Sequence, residues 1–271
     1  MQMAKKTNIL LLIFLLIVSS LIYIGSLLRD YYSLAKDIVL PPSITTQNND
    51  TITVIFIGDS WAAYHSKYDH HLMTCIERKT NKPTKVISRG TVGAKTKTIY
   101  SEMHADFPSG TKELIEQSPD YAIVSAGIND AVAKMGTDNY CYHYNLIIKE
   151  LISAGIKPII IDMPQVDYRA IYQRESWVAK IRHHISSWIT GAPLWSFENY
   201  RIALQSFIKQ DAIKENLIYI PASDWNPEGY KDSRHLYLED HVHLNEKGYF
   251  LLDSCITSTI YHDIMPTHGF Q

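Results

Sequence analysis

Cysteine is scarce. The chain of 271 residues holds three, Cys75, Cys141 and Cys255, none in a C-x-x-C spacing, so at most one disulfide can form and the residues do not choose its pairing. An exported location would permit such a bond, and the count alone leaves the compartment open. Excess charge of either sign is also missing: 26 Lys+Arg stand against 28 Asp+Glu, a formal net charge of -2. A surface that tracks a phosphate backbone needs a basic excess or stripe. The largest basic clusters, Lys5-Lys6 and Lys95 with Lys97, are too small to supply one, which excludes nucleic acid as a partner. No internal repeat or low-complexity tract is present. With 20% charged and 46% hydrophobic residues, the composition is that of a globular chain and not a disordered one.

What the sequence does have is a long apolar run. Ile9 to Leu28 is 20 residues without a charge, interrupted only by Ser19, Ser20, Tyr23, Gly25 and Ser26. As a helix it spans roughly 30 Å, the thickness of a bilayer core. It exceeds the apolar core of a secretory signal, and no A-x-A cleavage site follows it. Residues 1–29 are therefore read as a membrane anchor, with a cleaved signal and a secreted protein as the alternative. Lys5 and Lys6 precede the run while Arg29 and Lys36 follow it, so the positive-inside rule decides little. The short N-terminal tail favours a cytoplasmic N-terminus, with the rest of the chain periplasmic or extracellular. Residues 30–50 read as a linker, since Leu40 to Asp50 is polar and carries two prolines, as tethers do. Residues 51–271 are enough for one large core and short for two.

In that region short β-branched runs alternate with helical patterns. Strands are expected at Thr53 to Ile57, Lys85 to Ile87, Tyr121 to Val124, Pro158 to Ile161 and Leu217 to Ile220. Helices are expected at 61–79, 138–154, 171–190, 197–213 and 246–261, with Gly155 and Gly191 as C-terminal stops. Buried-type strands separated by helices argue for a parallel α/β sheet. In such a sheet chemistry collects where strands end and helices begin, because each helix start offers free N–H groups.

Three motifs fall at such places. Gly58-Asp59-Ser60 follows the apolar run TVIFI; glycine allows a sharp turn, and a serine there can present its hydroxyl and its own N–H. On its own the tripeptide reads as a turn and helix cap. Gly127-Ile128-Asn129-Asp130 follows YAIVSA, and Asn129 is either an amide donor to a developing oxyanion or, with Asp130, a helix cap. Asp240-His241-Val242-His243 lies near the C-terminus. A carboxylate three residues before a histidine can accept from one ring nitrogen and leave the other as a general base. In isolation a surface histidine cluster, or a metal site of His241, His243 and Asp240, is favoured over that catalytic reading.

In combination these blocks resemble the SGNH hydrolase superfamily, whose members include the GDSL esterases and lipases. GDS at 58–60, SRGTVGAKT at 88–96, GIND at 127–130 and DHVH at 240–243 stand in that superfamily's order. The resemblance, covering about Thr51 to Tyr261, implies a flavodoxin-like three-layer sandwich with a five-stranded parallel sheet after the N-terminal transmembrane helix. It also implies Ser60 as nucleophile, His243 as general base, Asp240 as the residue orienting it, and an oxyanion hole from the N–H of Ser60, Gly93 and Asn129. No metal or other cofactor is required. The Gly block departs from the superfamily's pattern, with Ala94 and Lys95 where an acidic residue is expected. Gly93 is favoured over Gly90 as donor because Gly90 closes a strand. Asp59 is read as a helix cap or loop acceptor.

Residues 163–239 hold four of the five tryptophans and are where substrate contacts are sought. Trp177, Ile181, Ile185 and Trp188 fall on one helical face and are expected in the core. Trp225, in the segment SDWNPEG, is the candidate for lining the site. The pairs His70-His71 and His183-His184 are read as surface histidines. The functional expectation is a serine esterase acting on carboxylic O-acyl esters, O-acetyl included, on an envelope glycan. Alternatives are acyl transfer by the same triad, a metal-dependent phosphoesterase, and a catalytically silent glycan-binding module.

Overall fold

The computed structural model describes residues 2–32, 50–108, 110–164, 166, 168–195, 197–209, 211–227 and 229–265. The chain divides into two compact units, Met1–Asp37 and Ile38–Gln271. In the first, one helix, α1, runs Gln2–Tyr32. Its segment Asn8–Ser26 has a mean hydropathy of 2.7, is unburied, and is long and apolar enough to cross a membrane. Most of the expected linker lies outside the described residues.

The second unit is built on five strands, β1 (Ile52–Gly58), β2 (Thr84–Gly90), β3 (Tyr121–Ser125), β4 (Lys157–Ile161) and β5 (Ile218–Ile220). They form one parallel sheet in the order β2-β1-β3-β4-β5. Strands covered on both faces read as continuous apolar runs, and Phe56, Ile57, Ile123, Val124, Ile159 and Ile160 are all completely buried. Thr53 pins the N-terminal edge: its N–H and its hydroxyl both donate to the Asp120 carboxylate, at 2.7 Å each.

Helices fill both faces. They are α2 (Ser60–His65), α3 (Asp69–Thr80), α4 (Thr96–Glu102), α5 (Lys112–Ile115), α6 (Ile128–Ala133), α7 (Thr137–Ser153), α8 (Tyr168–Arg174), α9 (Trp177–Thr190), α10 (Glu198–Ile208), α11 (Asp211–Lys214), α12 (Ala222–Trp225), α13 (Gly229–Asp232) and α14 (Glu246–Ile264). On one side α3 packs with α14, on the other α4 and α10 pack with α7. The strand order reverses between β1 and β3, and a ligand crevice opens at such a reversal, outside the carboxyl ends of the strands. Ser60 follows β1 and Asn129 follows β3, so the topology alone brings those two motifs to one place.

All five expected strands are present, and the expected helix breaks at Gly155 and Gly191 occur, but three of the expected helices are each two. The pattern over 61–79 breaks at Ser66–Tyr68, where Asp69 turns its carboxylate to the Ser88 N–H at 2.9 Å and a new helix starts. That over 171–190 breaks at Ser176, whose side chain accepts from the Ala179 N–H at 3.2 Å and caps α9. The stretch 197–213 divides into α10 and α11.

The expected core stripe of α9 is on the outside. Trp177 is 73% exposed, Ile181 49%, Ile185 40% and Trp188 82%. The helix packs inward through His183 and Ser186. Periodicity shows that a helix has an apolar face, and here that face points away from the sheet. Two histidines expected at the surface are engaged: His183 is buried with its Nε2 2.7 Å from Glu175, and His71 Nδ1 donates to the buried Asp253 at 2.7 Å. Cys75, Cys141 and Cys255 are all free thiols.

Candidate active site

Asp59 prepares the position of Ser60. Its carboxylate caps α2 by accepting from the Trp61 N–H at 3.0 Å, and it accepts from the Ser125 hydroxyl at 3.2 Å. Ser60 is thereby the first residue of α2, where N–H groups have no intrahelical acceptor. Burial pushes the Asp59 carboxyl up to about 7, against the lowering effect of its bonds to Trp61 and Ser125. Gly90 supports the same turn from β2. A Cβ there would stand 2.3 Å from the Asp59 carbonyl and 2.8 Å from Ala62 Cβ, so glycine lets the strand end approach the start of α2.

The C-terminal motif reaches Ser60 from the other end of the chain. Tyr237 and Leu244 form an antiparallel bridge. Within the loop between them the His241 N–H donates to the Leu238 carbonyl at 3.0 Å, and the Leu238 N–H to the His243 carbonyl at 2.8 Å. The loop is a tight turn with His241 at φ +63°, not the extended segment that alternating side chains would require. Asp240 lies inside it and accepts from the N–H groups of Val242 at 2.9 Å and His243 at 3.0 Å. The indole of Trp61 donates to the Val242 carbonyl at 3.2 Å and ties the loop to α2.

His243 then bridges two partners. Its Nδ1 is 2.6 Å from Asp240 Oδ2 and its Nε2 is 2.8 Å from Ser60 Oγ. An ionised carboxylate only accepts, so Nδ1 carries the proton and Nε2 is left to accept from the Ser60 hydroxyl. Burial works to raise the Asp240 carboxyl, but the hydrogen bonds from the His243 ring and the two loop amides outweigh it and hold it below its ordinary value. The Tyr64 ring lies against the imidazole with centroids 4.6 Å apart.

The third side comes from the loop after β2 and the start of α6. The Thr91 N–H donates to the Gly58 carbonyl at 3.1 Å, and the Ala94 N–H to the Thr91 carbonyl at 3.0 Å. Gly93 sits at φ +81° in that turn, a conformation that favours glycine. Asn129 Nδ2 donates to the Ala94 carbonyl at 2.9 Å, which fixes the amide plane and leaves its second N–H available. Asp130, also weighed as a cap of its own helix, caps α4 instead. It accepts from the Thr96 N–H at 3.0 Å and from the Thr96 hydroxyl at 2.7 Å, and burial pushes it up to about 6.

Ser60, Asp240 and His243 thus form one hydrogen-bonded chain, and the loop holding Gly93 is bonded to Asn129. Trp225 does not line the opening. It ends α12 at 3% exposure, its ring edge-on to that of Trp61 with centroids 5.7 Å apart, so it backs the residue after Ser60 and its indole area serves packing. A cavity of about 610 Å³ lies beside it, lined by Asp224, Asn226, His235 and Leu251 among others, with no contribution from Ser60, Asn129, Asp240 or His243. For a metal at His241, His243 and Asp240, His243 has no free ring nitrogen, and among the described residues no group of three His, Cys, Asp or Glu is disposed to hold an ion.

One cluster was not legible as a unit. His65, fully buried, places Nδ1 2.8 Å from Ser88 Oγ and 3.2 Å from Asp69 Oδ1, and Nε2 2.8 Å from Asp253 Oδ1. The spacing of His65 and Asp69, one helical turn apart, was the available signal; Asp253 lies 188 residues away.

Among solved structures, the chain is similar to a GDSL-like lipase from Bacteroides thetaiotaomicron, at 14% identity and TM-score 0.52, covering 89% of this chain and 98% of that one. It is similar also to an acetylxylan esterase from Geobacillus stearothermophilus, at 14% identity and TM-score 0.53 over 80% and 96% of the two chains. A third is the psychrotrophic esterase EstA from Pseudoalteromonas sp., at 11% identity and TM-score 0.52 over 78% and 98%. These likenesses are of fold. No curated protein matches the chain by sequence. The pattern of the GDSL-like lipase/acylhydrolase family matches residues 56–251, a span that runs from within β1 to within α14 and takes in all four motifs, and the chain belongs to that family.

Proposed function

We propose that this carboxylic ester hydrolase works through Ser60, His243 and Asp240, on O-acyl esters carried by a glycan outside the cytoplasm. The observation that carries the reading is the continuous chain from Asp240 Oδ2 through the imidazole to Ser60 Oγ. Ser60 Oγ attacks the ester carbonyl carbon while its proton passes to His243 Nε2. Asp240 holds the tautomer and balances the imidazolium that forms. The oxyanion faces the N–H groups of Ser60 and Gly93 and the free amide N–H of Asn129, each such donor contributing roughly a hundredfold or more in rate. The C–O bond of the ester then breaks, and the leaving alcohol takes the proton from His243. Water repeats the sequence on the acyl-Ser60 ester, releasing the acid and restoring the serine.

The acyl group is small, acetyl first. Two acetyl xylan esterases are among the similar folds. The span Asn8–Ser26 is read as an uncleaved anchor that keeps the second unit beside the membrane, on its outer side, which places envelope glycans within reach.

The test is hydrolysis of p-nitrophenyl acetate by the full chain in detergent, with and without EDTA, together with labelling by a fluorophosphonate. Turnover that survives EDTA, disappears in Ser60→Ala, and coincides with a covalent adduct on Ser60 is expected. Loss on chelation with rescue by a divalent cation would overturn the assignment.

A further inference from the structure

α9 is built the wrong way round for a core helix. At 100° per residue, Trp177, Val178, Ile181, Ile185 and Trp188 occupy an outward arc of roughly 100°, and all five are exposed. The opposite side carries Ala179, His183, Ser186 and Thr190 and makes polar attachments. His183 pairs with Glu175 at 2.7 Å, and the Thr190 hydroxyl donates to the Lys134 carbonyl at 2.9 Å. A contiguous apolar stripe turned to water on a helix held by polar contacts marks an interaction surface.

Charge identifies the occupant. Between residues 168 and 195 stand Arg169, Arg174, Lys180 and Arg182 against the single acid Glu175, in a chain whose net charge is -2, and Glu175 is taken up by His183. Lys180 and Arg182 fall on the two edges of the apolar arc. Arg169 extends the basic rim, its guanidinium 6.0 Å from the centroid of the exposed Trp195 ring. Tryptophan at the ends of an apolar stripe with Lys and Arg along its edges is the pattern of a helix lying in a headgroup layer, and the basic edges favour anionic lipid. A bilayer is also within reach. Ser26 and Ile52 are separated by 25 residues, which cannot span more than about 3.6 Å each.

We propose that α9 is a peripheral membrane-docking helix, seating Trp177, Ile181, Ile185 and Trp188 in the headgroup region of an anionic bilayer; this rests on the reading of Asn8–Ser26 as a retained anchor. Docking there would give the unit a second, non-covalent point of attachment and so restrict how it turns relative to the lipid surface.

The full chain reconstituted into phosphatidylcholine vesicles containing phosphatidylglycerol and 5-doxyl phosphatidylcholine tests this, with flotation measured on the same samples. Trp61 and Trp225 are buried, so quenching reads the other three tryptophans. Expected are quenching of tryptophan emission, loss of more than half of it in the Trp177→Phe/Trp188→Phe double variant, and clear weakening in Lys180→Glu/Arg182→Glu or without phosphatidylglycerol. Ester hydrolysis in detergent should stay unchanged in all of them. Flotation without quenching overturns the docking proposal and leaves the anchor standing. Failure to float overturns both. A detergent-soluble dimer that Trp188→Glu dissociates, with no quenching in vesicles, makes a second copy the occupant and likewise overturns the lipid assignment.

Discussion

His243 spends one ring nitrogen on Asp240 and the other on Ser60, which makes the three residues separable by mutation. His243→Ala should lower kcat/KM for p-nitrophenyl acetate by roughly three or more orders of magnitude. Asp240→Asn should fall between that and wild type, because the oxyanion donors remain beside a misoriented base. His241 shapes the turn through its backbone at φ +63°, so His241→Ala should keep most activity; equal, severe losses at both histidines in folded protein would sink the assignment. Asp59 gives a second residue-scale expectation. Its folded value of about 7 lies above the roughly 3.9 of a free aspartate, so the folded protein binds the proton more tightly than the unfolded chain. Wild type should therefore lose stability relative to Asp59→Asn as pH rises from about 4 to about 7. Urea midpoints for both proteins at pH 4.5, 6 and 8 check this, and a constant difference would refute it. The cap at Asp59 and the pairing of Asp240 with His243 were legible because their partners lie within three residues. The burial of Trp225 was not, since it depends on Trp61, far away in sequence.

At the scale of elements, His65 joins four of them: it lies on α2, touches Asp69 of α3 and Ser88 of β2, and meets Asp253 of α14. Burial alone would lower its pKa, but the bonds to Asp253 and Asp69 outweigh that and raise it. Stability from the imidazolium is thus fully present below the unfolded value of roughly 6.5 and lost as pH rises through the raised folded value. Asp253→Asn should lower the urea midpoint at pH 6, and its deficit against wild type should shrink by pH 9; a deficit independent of pH would refute the charged cluster. Strands were easier to read than helices for a physical reason. A central parallel strand such as β3 is a short apolar run whatever covers it. A helical stripe fixes only that one face differs from the other; the break at Ser176 comes from its side chain capping a new helix, and that at Ser66–Tyr68 goes with the tertiary bonds of Asp69 to Ser88 and His65. The periods of 61–79 and 171–190 pass through both breaks.

At the scale of the whole molecule, the chain divides between Asp37 and Ile38. β1 is a central strand, paired to β2 and β3 along its length, and its first bonds are local to the fold: the Ile52 N–H donates to the Pro83 carbonyl at 2.8 Å and Thr53 holds Asp120. None of these partners precedes residue 50, and no residue of the candidate site does either. A chain beginning at residue 41 should accordingly fold without detergent, unfold in one cooperative urea transition, and hydrolyse p-nitrophenyl acetate within about threefold of the full chain, since removing distant structure leaves the transition-state contacts intact. It should no longer float with phosphatidylcholine vesicles, because the apolar segment is gone. Weak, salt-sensitive recovery on vesicles rich in phosphatidylglycerol should remain, carried by α9 alone, as an amphipathic helix with basic edges binds without spanning. Sedimentation of the truncated chain with the two vesicle types at low and high salt measures the residue of binding directly. An insoluble or unfolded fragment would show that the N-terminal helix is part of the folded core and not an appendage to it.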